Sequence, residues 1–302
     1  MLKNSRSGRK LAGLLALVMM AMFADRAAAQ DIRLSGSRSQ PKIDFSDRVI
    51  TFKTSDGVEI EADWYPAKVE PGKRSPVAIL IHMYPATRNS WKPMVPLLRD
   101  ELGISVLAYD IRGTGGSVKP AEMNLQRKYE DRDAAHFAAA KNDTIAAYEW
   151  LTKQPNIDTS RMIVFGASVG CSISLDFATQ GVLVKGVACL SPGTNYMGID
   201  SLTHIRELKG RDTKVLLMSP EGEYEAIESL IKATDGADYV KGRKYDGGRE
   251  NHGTRMFDAK YGDKVKRRLQ KFARGVLDIK RKPGDDKKDD KDDDDNDDDK
   301  KD

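Results

Sequence analysis

The sequence predicts an α/β fold, in which a mostly parallel β-sheet is flanked by helices on both sides. Beyond about residue 76, short β-rich runs alternate with helical stretches, as expected for this class. Several of these runs, such as residues 77–81 and 215–218, are continuously apolar, as strands must be when helices cover both faces of the sheet. Ligands on such sheets bind beyond the carboxyl ends of the strands. Residues that directly follow strands are therefore the candidates for function.

Eight strands are predicted, at residues 49–53, 58–65, 76–82, 104–109, 162–165, 184–190, 214–218 and 239–245. The first two flank the turn Ser55-Asp56-Gly57 and are expected to form a hairpin. The clearest helix covers residues 143–153, where apolar side chains recur at helical spacing and Pro155 follows the end. Only the 23 residues 191–213 separate the sixth strand from the seventh, too few for a large cap domain. We therefore expect an open cleft, with a short helix around residues 202–208 available to shape it.

The first 29 residues predict a signal peptide. A basic start precedes an apolar run at residues 11–24, and small residues follow it up to Ala29. The run covers 14 residues, fewer than the roughly 20 that a membrane-spanning helix needs. We expect cleavage near Ala29, a secreted or periplasmic protein, and no stable membrane span after cleavage. A single membrane anchor is the alternative.

The rest of the chain is expected to form a linker at residues 30–47, one α/β domain at 48–279 and a disordered tail at 280–302. Between residues 285 and 302 only Asp, Lys and one Asn occur, a composition that cannot bury apolar surface. Such a tail is expected to act as a solubilising segment. Binding of divalent cations or of a basic surface by its carboxylates is the alternative.

Composition argues against a nucleic-acid-binding protein and against a disulfide-rich one. Without the signal segment (5 basic, 1 acidic) and the tail (8 basic, 12 acidic), 37 basic and 33 acidic residues remain. This small excess is not the basic footprint of a nucleic-acid-binding domain. Two cysteines, Cys171 and Cys189, are too few for a disulfide scaffold. Buried free thiols are expected, and one disulfide in an oxidising compartment is the alternative.

One motif carries the chemistry of a serine nucleophile. Gly166-Ala167-Ser168-Val169-Gly170 follows a predicted strand and precedes a helix-compatible segment, which is the context that this G-x-S-x-G pattern requires. The glycines allow neighbouring chains to pass close to a sharp turn. The backbone N–H of Val169 would then point toward a developing oxyanion, helped by the helix N-terminus. Ser168 is the candidate nucleophile, and Val169 a candidate for the oxyanion hole.

A serine hydroxyl needs a base within hydrogen-bond reach, and the base needs an orienting acid. Of the four histidines, His252 alone follows both Ser168 and the acid candidates, in the order Ser, acid, His. The acid is expected directly after the strand at residues 214–218, where Glu221 and Glu223 both stand.

Taken together, these residues resemble the α/β-hydrolase superfamily, particularly its small, capless, dienelactone-hydrolase-like and esterase-like members. The resemblance covers roughly residues 49–275. It favours Glu223 over Glu221, because Glu223 stands where the superfamily normally has an Asp. It also implies a second oxyanion donor after the third strand, where the usual His-Gly-x appears as His82-Met83-Tyr84. The backbone N–H of Tyr84 would donate there, while its phenol either adds another hydrogen bond or packs in the core.

The segment Tyr109-Asp110-Ile111-Arg112-Gly113 resembles the loop that follows the fourth strand in the same superfamily. The glycines at 113, 115 and 116 do not make a phosphate-binding loop, because the Lys and Ser/Thr of that motif are missing from their places. We expect Asp110 and Arg112 to form a structural ion pair that holds this loop.

The resemblance implies a serine hydrolase that cleaves carboxylic esters through an acyl-enzyme intermediate, with neither cofactor nor metal. A Ser rather than an Asp at position 168 argues against dehalogenase or epoxide-hydrolase chemistry. The expected substrate is a small-molecule or polymer-bound ester. Three alternatives stay open: a serine peptidase or amidase with the same triad, a non-catalytic binding protein of this fold, and a cell-surface interaction protein that works through its Asp-rich tail.

Overall fold

The computed structural model describes residues 44–280. The predicted signal peptide, nearly all of the predicted linker and the tail beyond Lys280 lie outside the described residues. The strands of the described part are β1 (Arg48–Lys53), β2 (Glu59–Tyr65), β3 (Ser75–Ile81), β4 (Ser105–Tyr109), β5 (Ile157–Ala167), β6 (Gly186–Leu190), β7 (Asn195–Tyr196), β8 (Ile199–Asp200), β9 (Lys214–Pro220) and β10 (Val240–Tyr245).

Eight of these strands form one sheet in the order β1-β2-β4-β3-β5-β6-β9-β10, and β7 and β8 pair as a separate small hairpin. In this sheet, β2 pairs antiparallel with both β1 and β4. All the other neighbouring strands of the sheet pair in parallel. The predicted fold class is confirmed, with all eight predicted strands in the sheet. β5 begins at Ile157, five residues before the predicted strand at 162. Residues 158–161 are polar, so the apolar pattern does not reveal this start of the strand. Ile157 pairs with Ser75, the first residue of β3.

The α-helices of the described part are α1 (Leu125–Glu130), α2 (Ala134–Ala138), α3 (Lys141–Thr152), α4 (Val169–Thr179), α5 (Ser201–Glu207), α6 (Tyr224–Ala233) and α7 (Gly262–Val276). Alternate side chains of each central strand pack into two hydrophobic cores, one on each face of the sheet. On β3, Val77, Ile79 and Ile81 face the core that includes α3, α4, α5 and α6. Ala78 and Leu80 face the other core, which α7 closes. Within residues 44–280, no helix combines the length and apolarity needed to cross a membrane.

The loop after β4 is held by ion pairs, but not by the pair that the sequence suggested. The Arg112 guanidinium binds Asp143 of α3 at 2.8 Å and Asp56 at 2.6 Å. Asp110 instead pairs with Arg88, which lies after β3. The expected Asp110–Arg112 pair was wrong because both side chains find partners that are distant in sequence, which local spacing does not reveal.

Cys171 and Cys189 are both free and fully buried, as expected. The Cys171 thiol donates hydrogen bonds to the carbonyls of Gly166 and Leu190, each at 3.3 Å. Burial raises the pKa of this thiol well above its ordinary value. The thiol therefore acts as a packing group beneath the turn that carries Ser168.

Candidate active site

Ser168 lies at the sharp turn between β5 and α4, with a backbone φ of +53° and ψ of −120°. Non-glycine residues rarely adopt this region, and such strain concentrates at functional sites. The flanking glycines allow the turn by their lack of a side chain. A Cβ on Gly166 would lie 2.3 Å from the carbonyl oxygen of Gly170, and one on Gly170 would lie 2.4 Å from that of Ile81. The structure therefore explains why glycines stand on both sides of this turn, which we call the elbow (residues 166–170).

The elbow presents helix N–H groups beside the Ser168 hydroxyl. Val169 is the first residue of α4, and the Ser168 side chain does not cap this helix. The N-terminal N–H groups of a helix have no intrahelical acceptor and carry partial positive charge. The close approach of Gly170 to the end of β3 also places the loop with His82, Met83 and Tyr84 against this helix start. The segments that contain Val169 and Tyr84 therefore meet at this turn.

His252 and Glu223 are brought together after β10 and β9, the two strands at one side of the sheet. The Nδ1 atom of His252 lies 2.8 Å from Oε1 and 3.0 Å from Oε2 of Glu223. Glu221, the alternative acid, points elsewhere and pairs with Lys244 at 3.3 Å on the surface. The Nδ1–H therefore donates to the Glu223 carboxylate, which leaves Nε2 of the same ring free to accept a proton.

The pKa of Glu223 lies below its ordinary value, so this carboxylate is charged at neutral pH. Partial burial alone would raise the pKa. Hydrogen bonds from His252 and Ser191, together with the positive charge of Arg249, outweigh this effect. A charged carboxylate fixes the histidine tautomer and stabilises the imidazolium that would form during proton transfer.

Ser191 is a site residue that sequence reasoning missed. It directly follows β6, is fully buried, and has a φ of +52°. Its Oγ accepts a hydrogen bond from the N–H of Gly253 at 2.9 Å, and its hydroxyl lies near Glu223, whose pKa it lowers. Ser191 thereby joins the acid to the chain segment next to His252. The available signal was a polar residue directly after an apolar strand, which by itself does not distinguish a site residue from an ordinary loop serine.

The loop that carries His252 is packed against the elbow. A Cβ on Gly253 would lie 3.6 Å from Cβ of Ala167 and 2.6 Å from Sδ of Met83. The N–H of Ser168 donates to the carbonyl of Leu190 at 2.8 Å, next to Ser191. The loops after β3, β5, β6, β9 and β10 therefore meet at the carboxyl edge of the sheet, as the predicted fold requires.

The phenol of Tyr84 packs rather than joining the reaction centre. Its ring lies 4.9 Å from the ring of Tyr129, and the Arg132 guanidinium sits 4.8 Å from its centroid. The hydroxyl donates to the carbonyl of Glu130 at 3.5 Å. Of the two roles considered for the side chain, packing is the one present here. The backbone N–H remains the oxyanion candidate.

Tyr196 is a second residue that the sequence did not reveal. It lies on β7, and its ring meets the His252 ring edge-on, with 6.3 Å between centroids and 89° between planes. Its phenol lies near the Ser168 hydroxyl, which influences the pKa of Tyr196. The signal was weak, an aromatic residue between Gly193 and Gly198 in a stretch read as a loop. Among the described residues, no group of three or more His, Cys, Asp or Glu is arranged to hold a metal ion.

Known proteins share this architecture. A family model described as the alpha/beta hydrolase fold matches residues 129–230, which include Ser168 and Glu223. The chain is 30% identical over 134 residues to an uncharacterised protein of Mycobacterium tuberculosis, covering 44% of this chain and 41% of the relative. It is 26% identical over 151 residues to a polyketide transferase of Stachybotrys chlorohalonatus, covering 49% and 45%. The chain thus spans less than half the length of these curated relatives.

Solved structures extend the likeness to nearly the whole described domain. An esterase of Pyrococcus furiosus superposes with a TM-score of 0.60 at 16% identity, covering 77% of this chain and 92% of the esterase. A 2,6-dihydroxy-pseudo-oxynicotine hydrolase gives 0.61 at 12%, covering 78% and 69%. Dipeptidyl peptidase 4 of Porphyromonas gingivalis gives 0.58 at 16%, covering 78% and 35%. At these identities the likeness concerns the fold alone. With the family match and the sheet order, it establishes that this chain is an α/β-hydrolase-fold protein.

Proposed function

We propose that this protein is a serine hydrolase that cleaves carboxylic esters through an acyl-enzyme intermediate. One observation carries the proposal: a serine held at positive φ on a strand–helix turn shares a sheet edge with a histidine that is hydrogen-bonded to a carboxylate. Strain at Ser168 has no structural benefit of its own, but it places a hydroxyl at the carboxyl edge of the sheet. Fold likeness to an esterase is consistent with the same chemistry.

In the proposed reaction, the Oγ of Ser168 attacks the ester carbonyl carbon while Nε2 of His252 takes its proton. The backbone N–H groups of Val169 and Tyr84 bind the negative oxygen of the tetrahedral intermediate. His252 then protonates the departing alcohol, and the bond between that oxygen and the carbonyl carbon breaks. Water hydrolyses the acyl-enzyme by the same steps, with His252 as the base, and releases the acid.

We further propose that the protein acts outside the cytoplasm, because its first 29 residues have the pattern of a cleavable signal peptide. N-terminal sequencing of the protein isolated from its native host tests this proposal. We expect a mature chain that begins near Gln30 and is found in the periplasm or the medium. A chain that still begins at Met1 in the cytoplasm would contradict export without affecting the proposed chemistry.

A fluorophosphonate probe tests the reaction directly, because it modifies serines that an adjacent base activates. We expect stoichiometric labelling of the purified protein, with the adduct mapped to Ser168 by mass spectrometry. Ser168→Ala should abolish both labelling and the hydrolysis of short acyl esters. Undiminished ester cleavage by this variant, with its fold intact by circular dichroism, would refute the proposal.

A substrate panel separates ester hydrolysis from the peptidase alternative. Short-chain p-nitrophenyl esters and alkyl esters should be cleaved, whereas aminoacyl p-nitroanilides should be cleaved far more slowly. A higher kcat/KM for the anilides than for the esters would reassign the protein as a peptidase or amidase with the same triad. Complete inertness of a folded sample toward probe and panel would favour a non-catalytic binding protein.

A further inference from the structure

A short hairpin between β6 and α5 holds Tyr196 rigidly over the candidate active site. Strands β7 and β8 are joined by two residues, Met197 and Gly198, which both have positive φ (52° and 84°). This is the backbone that tight two-residue hairpins favour. The next residue after the hairpin, Ser201, donates its N–H to the carbonyl of Thr194 at 3.0 Å. Its hydroxyl lies 2.8 Å from that of Ser172 on α4, so the hairpin is tied to the helix that begins at the elbow.

The Tyr196 side chain lies beside the two proposed reacting groups. Its ring packs edge-on against the imidazole of His252, and its phenol lies near the Ser168 hydroxyl. Gly193 leaves room for the Tyr196 ring, because a Cβ on Gly193 would lie 2.6 Å from two carbons of that ring. Ser168 itself is only 6% exposed.

The phenol is a permanent hydrogen-bond donor. Burial, with smaller contributions from the nearby Cys171 thiol and the Glu223 carboxylate, raises the pKa of Tyr196 to about 12. The group therefore stays protonated at neutral pH, and it cannot compete with His252 as a base. Its O–H can hydrogen-bond to an oxygen without giving up the proton.

We propose that Tyr196 is a further catalytic residue, whose O–H hydrogen-bonds to the leaving-group oxygen of the ester as that oxygen departs. The position supports this role because the leaving oxygen must receive its proton from His252, and the Tyr196 ring packs edge-on against that imidazole. The inference rests on the proposed serine hydrolase chemistry. In this step the Oγ–carbon bond is already formed, the carbon–oxygen bond to the alcohol breaks, and the proton comes from His252, while Tyr196 keeps its own.

A donor to the leaving oxygen matters most when the leaving group is basic. An alkoxide develops high negative charge and needs the hydrogen bond, whereas p-nitrophenolate spreads its charge over the ring. The value of kcat/KM should therefore be measured for acetate esters whose alcohols range from p-nitrophenol to ethanol. In Tyr196→Phe, we expect a loss of roughly 10- to 100-fold for the alkyl esters and of less than about threefold for the p-nitrophenyl ester.

Tyr65→Phe is the matched control. It removes a phenol that hydrogen-bonds Asp63 at 3.0 Å on β2, away from the candidate site. This variant should keep the wild-type dependence on leaving-group pKa. Both variants should retain the circular dichroism spectrum of the wild type.

The outcomes separate this inference from the proposed function. An equal loss for all esters in Tyr196→Phe, or no loss for any, would overturn the role of Tyr196 while leaving the serine hydrolase proposal in place. A wild-type protein that releases no alcohol from any ester and resists fluorophosphonate would overturn both. A steeper dependence on leaving-group pKa in Tyr196→Phe alone would support both.

Discussion

Ser168 and Ser191 stand at the ends of the neighbouring strands β5 and β6, and both have φ values near +50°. Each such residue costs on the order of 1–3 kcal/mol of stability. Ser168 presents its hydroxyl at the elbow, and Ser191 holds Glu223 and the N–H of Gly253 in place. At the residue scale, two serines with positive φ therefore adjoin the place of the proposed reaction.

The first residue-scale prediction concerns the two glutamates after β9. Glu223→Gln keeps the size of the side chain but loses the charge that stabilises the His252 imidazolium. We expect kcat/KM for ester hydrolysis to fall by about 10²- to 10⁴-fold. Glu221→Gln, which only disturbs the surface pair with Lys244, should stay within about twofold of wild type. Equal activity of the two variants would contradict the assignment of Glu223 as the acid.

The second residue-scale prediction concerns Ser191. Ser191→Ala removes the acceptor for the Gly253 N–H and a donor to Glu223, so we expect kcat/KM to fall about 10-fold and fluorophosphonate labelling to slow by the same factor. Ser219→Ala is the control, because Ser219 is equally buried and its hydroxyl has no hydrogen-bond partner within the described part of the chain. If both variants labelled at the wild-type rate, Ser191 would have no positioning role.

At the scale of elements, the loop after β4 shows how long-range pairs complete a segment whose ends the sequence predicts well. Arg112 is almost fully buried and is shared by Asp143 of α3 and Asp56 of the β1–β2 turn. The strand and its loop could be predicted from the local pattern and from the resemblance. The partners of Arg112 could not, because these carboxylates lie 31 and 56 residues away and local spacing does not indicate them.

The buried Arg112 pair gives an element-scale prediction. Arg112→Met fills the space but leaves the fully buried Asp143 carboxylate without its cation. We expect the free energy of unfolding to fall by about 3–5 kcal/mol, measured by urea denaturation. The double variant Arg112→Met with Asp143→Leu should recover part of this loss, because it removes the unpaired charge. A double variant as unstable as the sum of the two single variants would show that the pair is not coupled.

At the scale of the whole molecule, the sheet order and the place of the site could be predicted, and the finer composition of the site could not. Parallel strands between helices imply that loops at one edge meet, so Ser168 and His252 could be selected from motif and chain order. Position alone left Glu221 and Glu223 both open, and the superfamily resemblance favoured Glu223. Ser191 and Tyr196 join them through three-dimensional packing between β6 and α5. Neither belongs to a residue type that chemistry singles out in advance.

The buried His82 makes global stability depend on pH. Its Nε2 accepts the N–H of Ile111 at 2.9 Å, and burial lowers its pKa from 6.5 to about 4. The unfolded chain therefore binds more protons than the native protein between these values, and stability falls as pH decreases from about 6.5 toward 4. The loss amounts to at most about 1.4 kcal/mol for each pH unit.

The whole-molecule prediction concerns the pH dependence of stability in a His82 variant. In urea denaturation at several pH values, His82→Asn should lose stability less steeply than wild type between pH 6.5 and 4. The slope should shrink rather than vanish, because burial also lowers the pKa of His136. Identical slopes in the two proteins would mean that His82 is not the group that titrates.

The strained backbone of Ser168 also affects how the protein would respond to selection for thermal stability. Glycine adopts positive φ without penalty, whereas alanine does not. We expect Ser168→Gly to melt at a higher temperature than Ser168→Ala in a calorimeter. A library screened only for heat resistance would then enrich glycine at this position and discard the hydroxyl. Engineering a more heat-resistant variant therefore requires that ester turnover be measured together with the melting temperature.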